Sequence, residues 1–115
     1  MLTIKRIKYY ISRYLCNCGI FPSILAYDYL IEAIFDYIAF EGDRFFVCKE
    51  IYKKLADKFG VSQCSVERSM RYAVSKVLIL EVYNNYMGAD IQKAPKVSEF
   101  IFTSAAYVKK WLGIY

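Results

Sequence analysis

Between Gly60 and Arg71 the chain reads GVSQCSVERSMR, which places Gln63, Ser65, Glu67, Arg68 and Arg71 within one short segment. These side chains share a chemistry, directional hydrogen bonding to flat polar edges. Arginine donates two parallel hydrogen bonds to guanine O6 and N7, glutamine pairs with adenine, and glutamate accepts from the cytosine amino group. Just upstream, IYKKLADKF supplies Lys53, Lys54 and Lys58, and Lys76 follows downstream. Ammonium groups of this kind hold phosphate without reading sequence. An amphipathic helix with an ordinary solvated face has the same composition, so the elements that position these residues must separate the two readings.

Two other groupings invite chemistry and support it poorly. Asp28, Glu32 and Asp36 recur every four residues, and paired carboxylates on one helix face can do acid–base work. No histidine exists in the chain and no nucleophile adjoins them, so a solvated stripe is the expected reading. Cys16 and Cys18 form a C-x-C pair, with Cys48 and Cys64 elsewhere. A zinc site needs four ligands. With no histidine, the other cysteines or carboxylates would have to complete it, and no metal or other cofactor is expected. The cysteines read as reduced and half-buried. With no glycine-rich phosphate loop and no nucleophile–base pair, no enzyme is expected either.

The chain has 115 residues, the size of one domain, with residues 1–115 as its span. Hydrophobic residues make up 57% of it, yet its longest uncharged run, Tyr14 to Tyr27, is broken by Gly19 and Pro22. A membrane-spanning helix needs about 20 apolar residues. The basic N-terminus lacks a continuous apolar segment and a small-residue cleavage site, so no signal peptide is read and a cytoplasmic location is expected. The net charge of +5 is uneven: residues 1–15 carry four basic and no acidic groups, residues 16–50 sum to −4, and residues 51–80 to +4. The last block contains the segment quoted above, which suggests a polyanionic partner.

Helical periodicity recurs along the chain and period-two alternation is not sustained. Ile4, Ile7, Ile11 and Leu15 predict a helix over Ile4–Cys16, and NCGIFPS ends it. Pro22 and Ser23 open a second helix reaching about Phe40, apolar almost all round except for the acidic stripe, as in the central helix of a bundle. EGDR is a loop, and further helices cover about Val47–Phe59 and Ser62–Leu80. NNYMGADIQKAP reads as a loop, with a short helix starting at Glu81 before it. A last helix has Ser98 as its N-cap, Glu99 in its first turn, Ile101, Ala105, Val108 and Leu112 on one face, and Gly113 as its stop. The expected fold is all-α, one compact bundle of five or six helices.

Within it, residues 47–79 satisfy the packing rules of a helix-turn-helix. Ala56 is the small residue where two helices cross, Gly60 supplies the left-handed turn, and Ser62 caps the second helix. Leu55, Phe59, Val61, Val66, Met70, Ala73 and Val77 are assigned to the buried side. Gln63, Ser65, Glu67, Arg68 and Arg71 are left facing outward as base contacts, with Lys53, Lys54, Lys58, Ser62 and Lys76 for phosphate. The expected partner is double-stranded DNA, with no membrane involved.

IYKKLADKFGVSQCSVERSMRYAV resembles the DNA-binding effector domain of the sporulation master response regulator of endospore-forming bacteria. That family shows I/L-Y-x-x-I-A-x-K-F, a short turn, then S-R-V-E-R-A-I-R-H-A-I. GIFPSILAYDYLIEAI and APKVSEFI are similar to two further segments of the family, so the resemblance runs from about Ile7 to Ala106. It implies a six-helix domain that binds T-G-T-C-G-A-A-like boxes, often as tandem dimers, and activates or represses transcription. It also implies that Glu67, Arg68 and Arg71 match the family's recognition-helix contacts. Ser65 stands where the family has arginine and Tyr72 where it has histidine. Loss of that arginine removes about 1–3 kcal/mol of base discrimination. The segment after the recognition helix is shorter than the family's and lacks its W-S-R-G-N signature. In the family that region and the last helix contribute to dimer and RNA polymerase contacts. The family's receiver domain has no counterpart in these residues; if they are the full protein, gating by phosphorylation is not expected, and a fragment of a longer protein would read the same. The competing reading is a protein-interaction module or antagonist derived from the same domain. Its motives are Ser65, Tyr72, the shortened segment after the recognition helix and the aromatic tail KKWLGIY, unless Trp111 simply covers the core.

Overall fold

A computed structural model of the chain describes residues 3–39, 48–75 and 96–113. Among these residues there are five helices and no strand: α1 (Ile4–Asn17), α2 (Ala26–Ala39), α3 (Cys48–Phe59), α4 (Gln63–Ser75) and α5 (Val97–Leu112). The all-α bundle is therefore as expected. Lys76, Val77, the short helix at Glu81 and the NNYMGADIQKAP loop lie outside the described residues.

Local chemistry explains most of the boundaries. The Thr3 hydroxyl oxygen accepts a hydrogen bond from the Arg6 N–H at 3.1 Å and so caps α1. At the other end Gly19 turns left-handed at φ 87°, its N–H reaches the Cys16 carbonyl, and the Ile20 N–H reaches the Leu15 carbonyl at 2.8 Å. This is a Schellman closure, and the apolar contact that accompanies it is present, since Leu15 and Ile20 are both fully buried. Burial pushes the neighbouring Cys18 thiol up to about 11, against a hydrogen bond with Tyr14 that acts the other way. Cys18 is thus kept as a thiol inside the core. Cys64 departs from the half-buried expectation, because it is exposed at the start of α4.

Helix α2 begins at Ala26, later than the Pro22–Ser23 start expected. Before it the chain makes tight turns, with the Ile24 N–H on the Phe21 carbonyl and the Tyr27 N–H on the Ile24 carbonyl, both at 2.9 Å. These three-residue spacings carry the chain into the helix without belonging to it. The start of α5 also differs. Lys96 is its N-cap, because its carbonyl already accepts the first intrahelical bond from the Phe100 N–H. Ser98 therefore sits inside the helix, where its hydroxyl cannot cap. Glu99 in the first turn and the left-handed Gly113 occupy the places expected of them, and Lys109 and Lys110 lie in the last turn.

Helix α2 packs against α1, α3, α4 and α5, and one hydrophobic core draws on all five helices. Leu30, Ala33 and Ile34 of α2 are fully buried, as are Phe100, Ala105 and Val108 of α5. Tyr14 joins α1 to α5, its ring 5.7 Å from Tyr107 and 6.2 Å from Trp111. Trp111 meets Tyr107 in a T-shaped ring contact, with centroids 5.1 Å apart, yet keeps 36% of its surface exposed.

The acidic stripe of α2 corrects the solvated-face reading. Glu32 receives Lys8 of α1 at 2.8 Å and Lys58 of α3 at 3.0 Å, while Asp36, itself buried, receives Lys54 of α3 at 3.1 Å. Only Asp28 is exposed. Two carboxylates thus fasten three helices. Burial pushes the Glu32 carboxyl up, but its hydrogen bonds to Lys8 and Lys58 outweigh this and hold it below the ordinary carboxylate range.

Two outcomes follow from these features. A carboxyl depressed on folding contributes stability that is full above its unfolded value, about 4.3, and is lost as pH falls through its lower folded value. Thermal melts from pH about 6 down to about 3 will therefore show wild type losing stability more steeply than Glu32→Gln; parallel curves would contradict the clamp. Gly60, at φ 67°, has open space around the position of a Cβ, so Gly60→Ala meets no clash and suffers only the left-handed backbone. It should lose about 1–2 kcal/mol in denaturant unfolding, and an unchanged midpoint would contradict the turn geometry.

Candidate nucleic-acid interface

Helices α3 and α4 pack on each other across the turn at Gly60. The Val61 N–H reaches back to the Ala56 carbonyl at 3.1 Å, which closes α3 in the same Schellman manner as α1. The Ser62 hydroxyl oxygen then accepts from the Ser65 N–H at 3.1 Å and caps α4. Ala56 and Val66 are buried and Gly60 is left-handed. Leu55, Met70 and Ala73 are buried too, joined by Val74, which the sequence reading passed over. Phe59 and Val61 are corrections, at 37% and 39% exposure. Phe59 ends α3 and meets the Tyr29 ring in a T-shaped contact, with centroids 5.1 Å apart, and Val61 follows the glycine in the open turn.

With Val66, Met70, Ala73 and Val74 turned inward, helical geometry leaves Cys64, Arg68, Arg71 and Tyr72 on the opposite side. Gln63, Ser65, Arg68 and Arg71 are all exposed, and Glu67, at the edge of the buried seam, is half-buried. Every proposed base contact therefore reaches the surface of one helix. Glu67 and Arg71 pair at 3.0 Å across one turn. An exposed pair of this kind is worth only about 0.3–0.5 kcal/mol, so it preorganises both side chains without locking them away from another partner. Cys64 is exposed and Ser69 half-buried on the same helix, and neither is among the expected base contacts. Four-residue spacing from Cys64 to Arg68, and Ser69 beside Arg68, were the available signals. Ser69, Arg68 and Tyr72 also line a shallow apolar groove with Ile24, Leu25 and Ala26 from the entry to α2.

The lysines divide. Lys53 is exposed and makes no ion pair among the described residues. Lys54 and Lys58 are also exposed, but their ammonium groups sit on Asp36 and Glu32 rather than extending freely from the bundle. Ser62 spends its oxygen on the cap, and its hydroxyl donates to Ser65 Oγ at 3.0 Å. Among the described residues no group of three or more cysteine, aspartate or glutamate side chains is arranged to hold a metal ion. No helix among them is long and apolar enough to cross a membrane.

Neither the curated proteins nor the solved structures provide a match to this chain. A family model does. The model described as sporulation initiation factor Spo0A C terminal matches residues 11–108, which takes in α2, α3, the turn, α4, the second half of α1 and most of α5. That domain is a DNA-binding regulator module and not an enzyme family. With the family model spanning residues 11–108 of 115, the chain belongs to the family of the C-terminal domain of sporulation initiation factor Spo0A.

Proposed function

We propose that residues 1–115 act as one helix-turn-helix domain and that the chain is a sequence-specific, DNA-binding transcription regulator. The observation that carries this reading is the outward side of α4. It presents Gln63, Ser65, Arg68 and Arg71 to solvent with Glu67 at its edge, in a chain whose family binds DNA. In this reading α4 enters the major groove. Arg68 and Arg71 grip guanine edges, Glu67 accepts from cytosine, and Gln63 and Ser65 make the accessory contacts nearest the turn. Lys53, Lys54, Lys58 and Lys76 lie along the phosphates, and Ser62 meets one at the start of α4. The preferred site is a T-G-T-C-G-A-A-like box, with relaxed preference at the base pair that faces Ser65. The regulator works in the cytoplasm, acts on RNA polymerase, and sits as paired copies on adjoining boxes.

Two substitutions separate base reading from phosphate holding. Arg68→Ala should relax preference at a single base pair, with a loss of about 1–3 kcal/mol of discrimination in competition against duplexes carrying each base change. Lys53→Ala should weaken box and scrambled duplexes alike and flatten the salt slope by about one. Wild-type binding by both variants would remove α4 and α3 from the interface.

A further inference from the structure

The two lysines of α3 that the DNA reading sends to phosphate already hold partners inside the protein. Lys58 Nζ lies 3.0 Å from one oxygen of Glu32, whose other oxygen takes Lys8 Nζ at 2.8 Å, and Lys54 Nζ lies 3.1 Å from Asp36 Oδ2. The exposure of the two sides is unequal. The lysine side chains are 55% and 50% exposed, whereas those of Asp36 and Glu32 are 11% and 18%. The carboxylates are fixed by the core of α2, while the ammonium ends reach solvent and can swing. A DNA phosphate approaching either lysine therefore finds a charge that a fixed anion has already neutralised. An ammonium shared in this way contributes less counterion release than a free one, since part of its field is cancelled before DNA arrives.

We propose that Glu32 and Asp36 set the affinity for DNA by competing with its phosphates for Lys58 and Lys54. The proposal rests on the DNA reading above and adds to it a role for α2, which touches no base in that reading. The acidic stripe then does two things with one set of contacts. In the free protein it ties α3 to α2; on the duplex it yields its lysines at a cost that keeps non-specific binding weak.

The test compares wild type with the double variant Glu32→Gln, Asp36→Asn, in anisotropy titrations of a box duplex and a scrambled duplex across a series of salt concentrations. The expected result is several-fold tighter binding of both duplexes in dilute salt, and a slope of log affinity against log salt that steepens by about one to two. The ratio of box to scrambled affinity should not change, because no base contact is altered. Asp28→Asn is the control for charge alone. Asp28 lies on the same stripe but is exposed and pairs with no lysine among the described residues, so its removal should leave the slope as in wild type. Should the double variant fail to fold by circular dichroism, each single variant keeps one arm of the cluster, and each should give part of the same effect. The proposal is overturned if the stripe variants bind no tighter than wild type, or if Asp28→Asn reproduces their effect. A wild-type chain that binds neither duplex removes the DNA reading and this inference together; unchanged slopes in a chain that does bind remove the inference alone.

Discussion

Leu30, Ala33 and Ile34 are fully buried on α2, and α2 packs against each of the four other described helices, so its apolar surface is the shared centre of the bundle. At about 25 cal/mol per Å² of apolar surface, a fully buried aliphatic side chain stabilises by roughly 1.5–3 kcal/mol, so a central helix of such residues outweighs any polar contact in the domain. The same helix leaves one narrow strip unburied by apolar groups. Glu32 and Asp36 on that strip receive lysines from α1 and α3, which adds direction to a force that has none. Hydrophobic burial brings α3 to α2, and the ion pairs fix where along α2 it lies.

The division of α4 into two sides is a consequence of that arrangement. Val66, Met70, Ala73 and Val74 are committed to the core, so the opposite side of the helix is exposed whatever residues stand there. The arginines at 68 and 71 face outward because the apolar residues face inward. The turn makes this dependable: a left-handed glycine closes α3, and a serine two residues later opens α4, so the angle between the helices is set by a few backbone hydrogen bonds. Recognition by such a face depends on rigid support, because side chains misplaced by a fraction of an ångström lose bidentate geometry.

What was legible in the sequence was what depends on neighbouring residues. The extent of α1, the turn at Gly60, the cap at Ser62 and the buried side of α4 all follow from capping chemistry and helical spacing, which act over four residues or fewer. The illegible features are tertiary. Asp36 and Glu32 look like a wet stripe until α1 and α3 bring lysines to them, and spacing along one helix cannot announce that. Phe59 and Val61 have the right types for a core and stand at the right spacing, but they lie where α3 ends, and both keep more than a third of their surface exposed. The late start of α2 has another origin: Pro22 and Ser23 suit a first turn, yet the chain forms tight turns there first. The resemblance in IYKKLADKFGVSQCSVERSMRYAV located the family and marked Glu67, Arg68 and Arg71. It carried no information on where Lys54 and Lys58 rest.

The central claim is that the outward side of α4 reads base sequence rather than merely meeting a polyanion. Fluorescence anisotropy of the wild-type chain with a labelled T-G-T-C-G-A-A duplex and with a scrambled duplex, each at two salt concentrations, tests it most directly. The account predicts tighter binding to the box, with a preference that persists when salt lowers both affinities, since base contacts do not depend on counterion release. Equal affinity for the two duplexes, abolished together by salt, would contradict it and leave only the phosphate interaction.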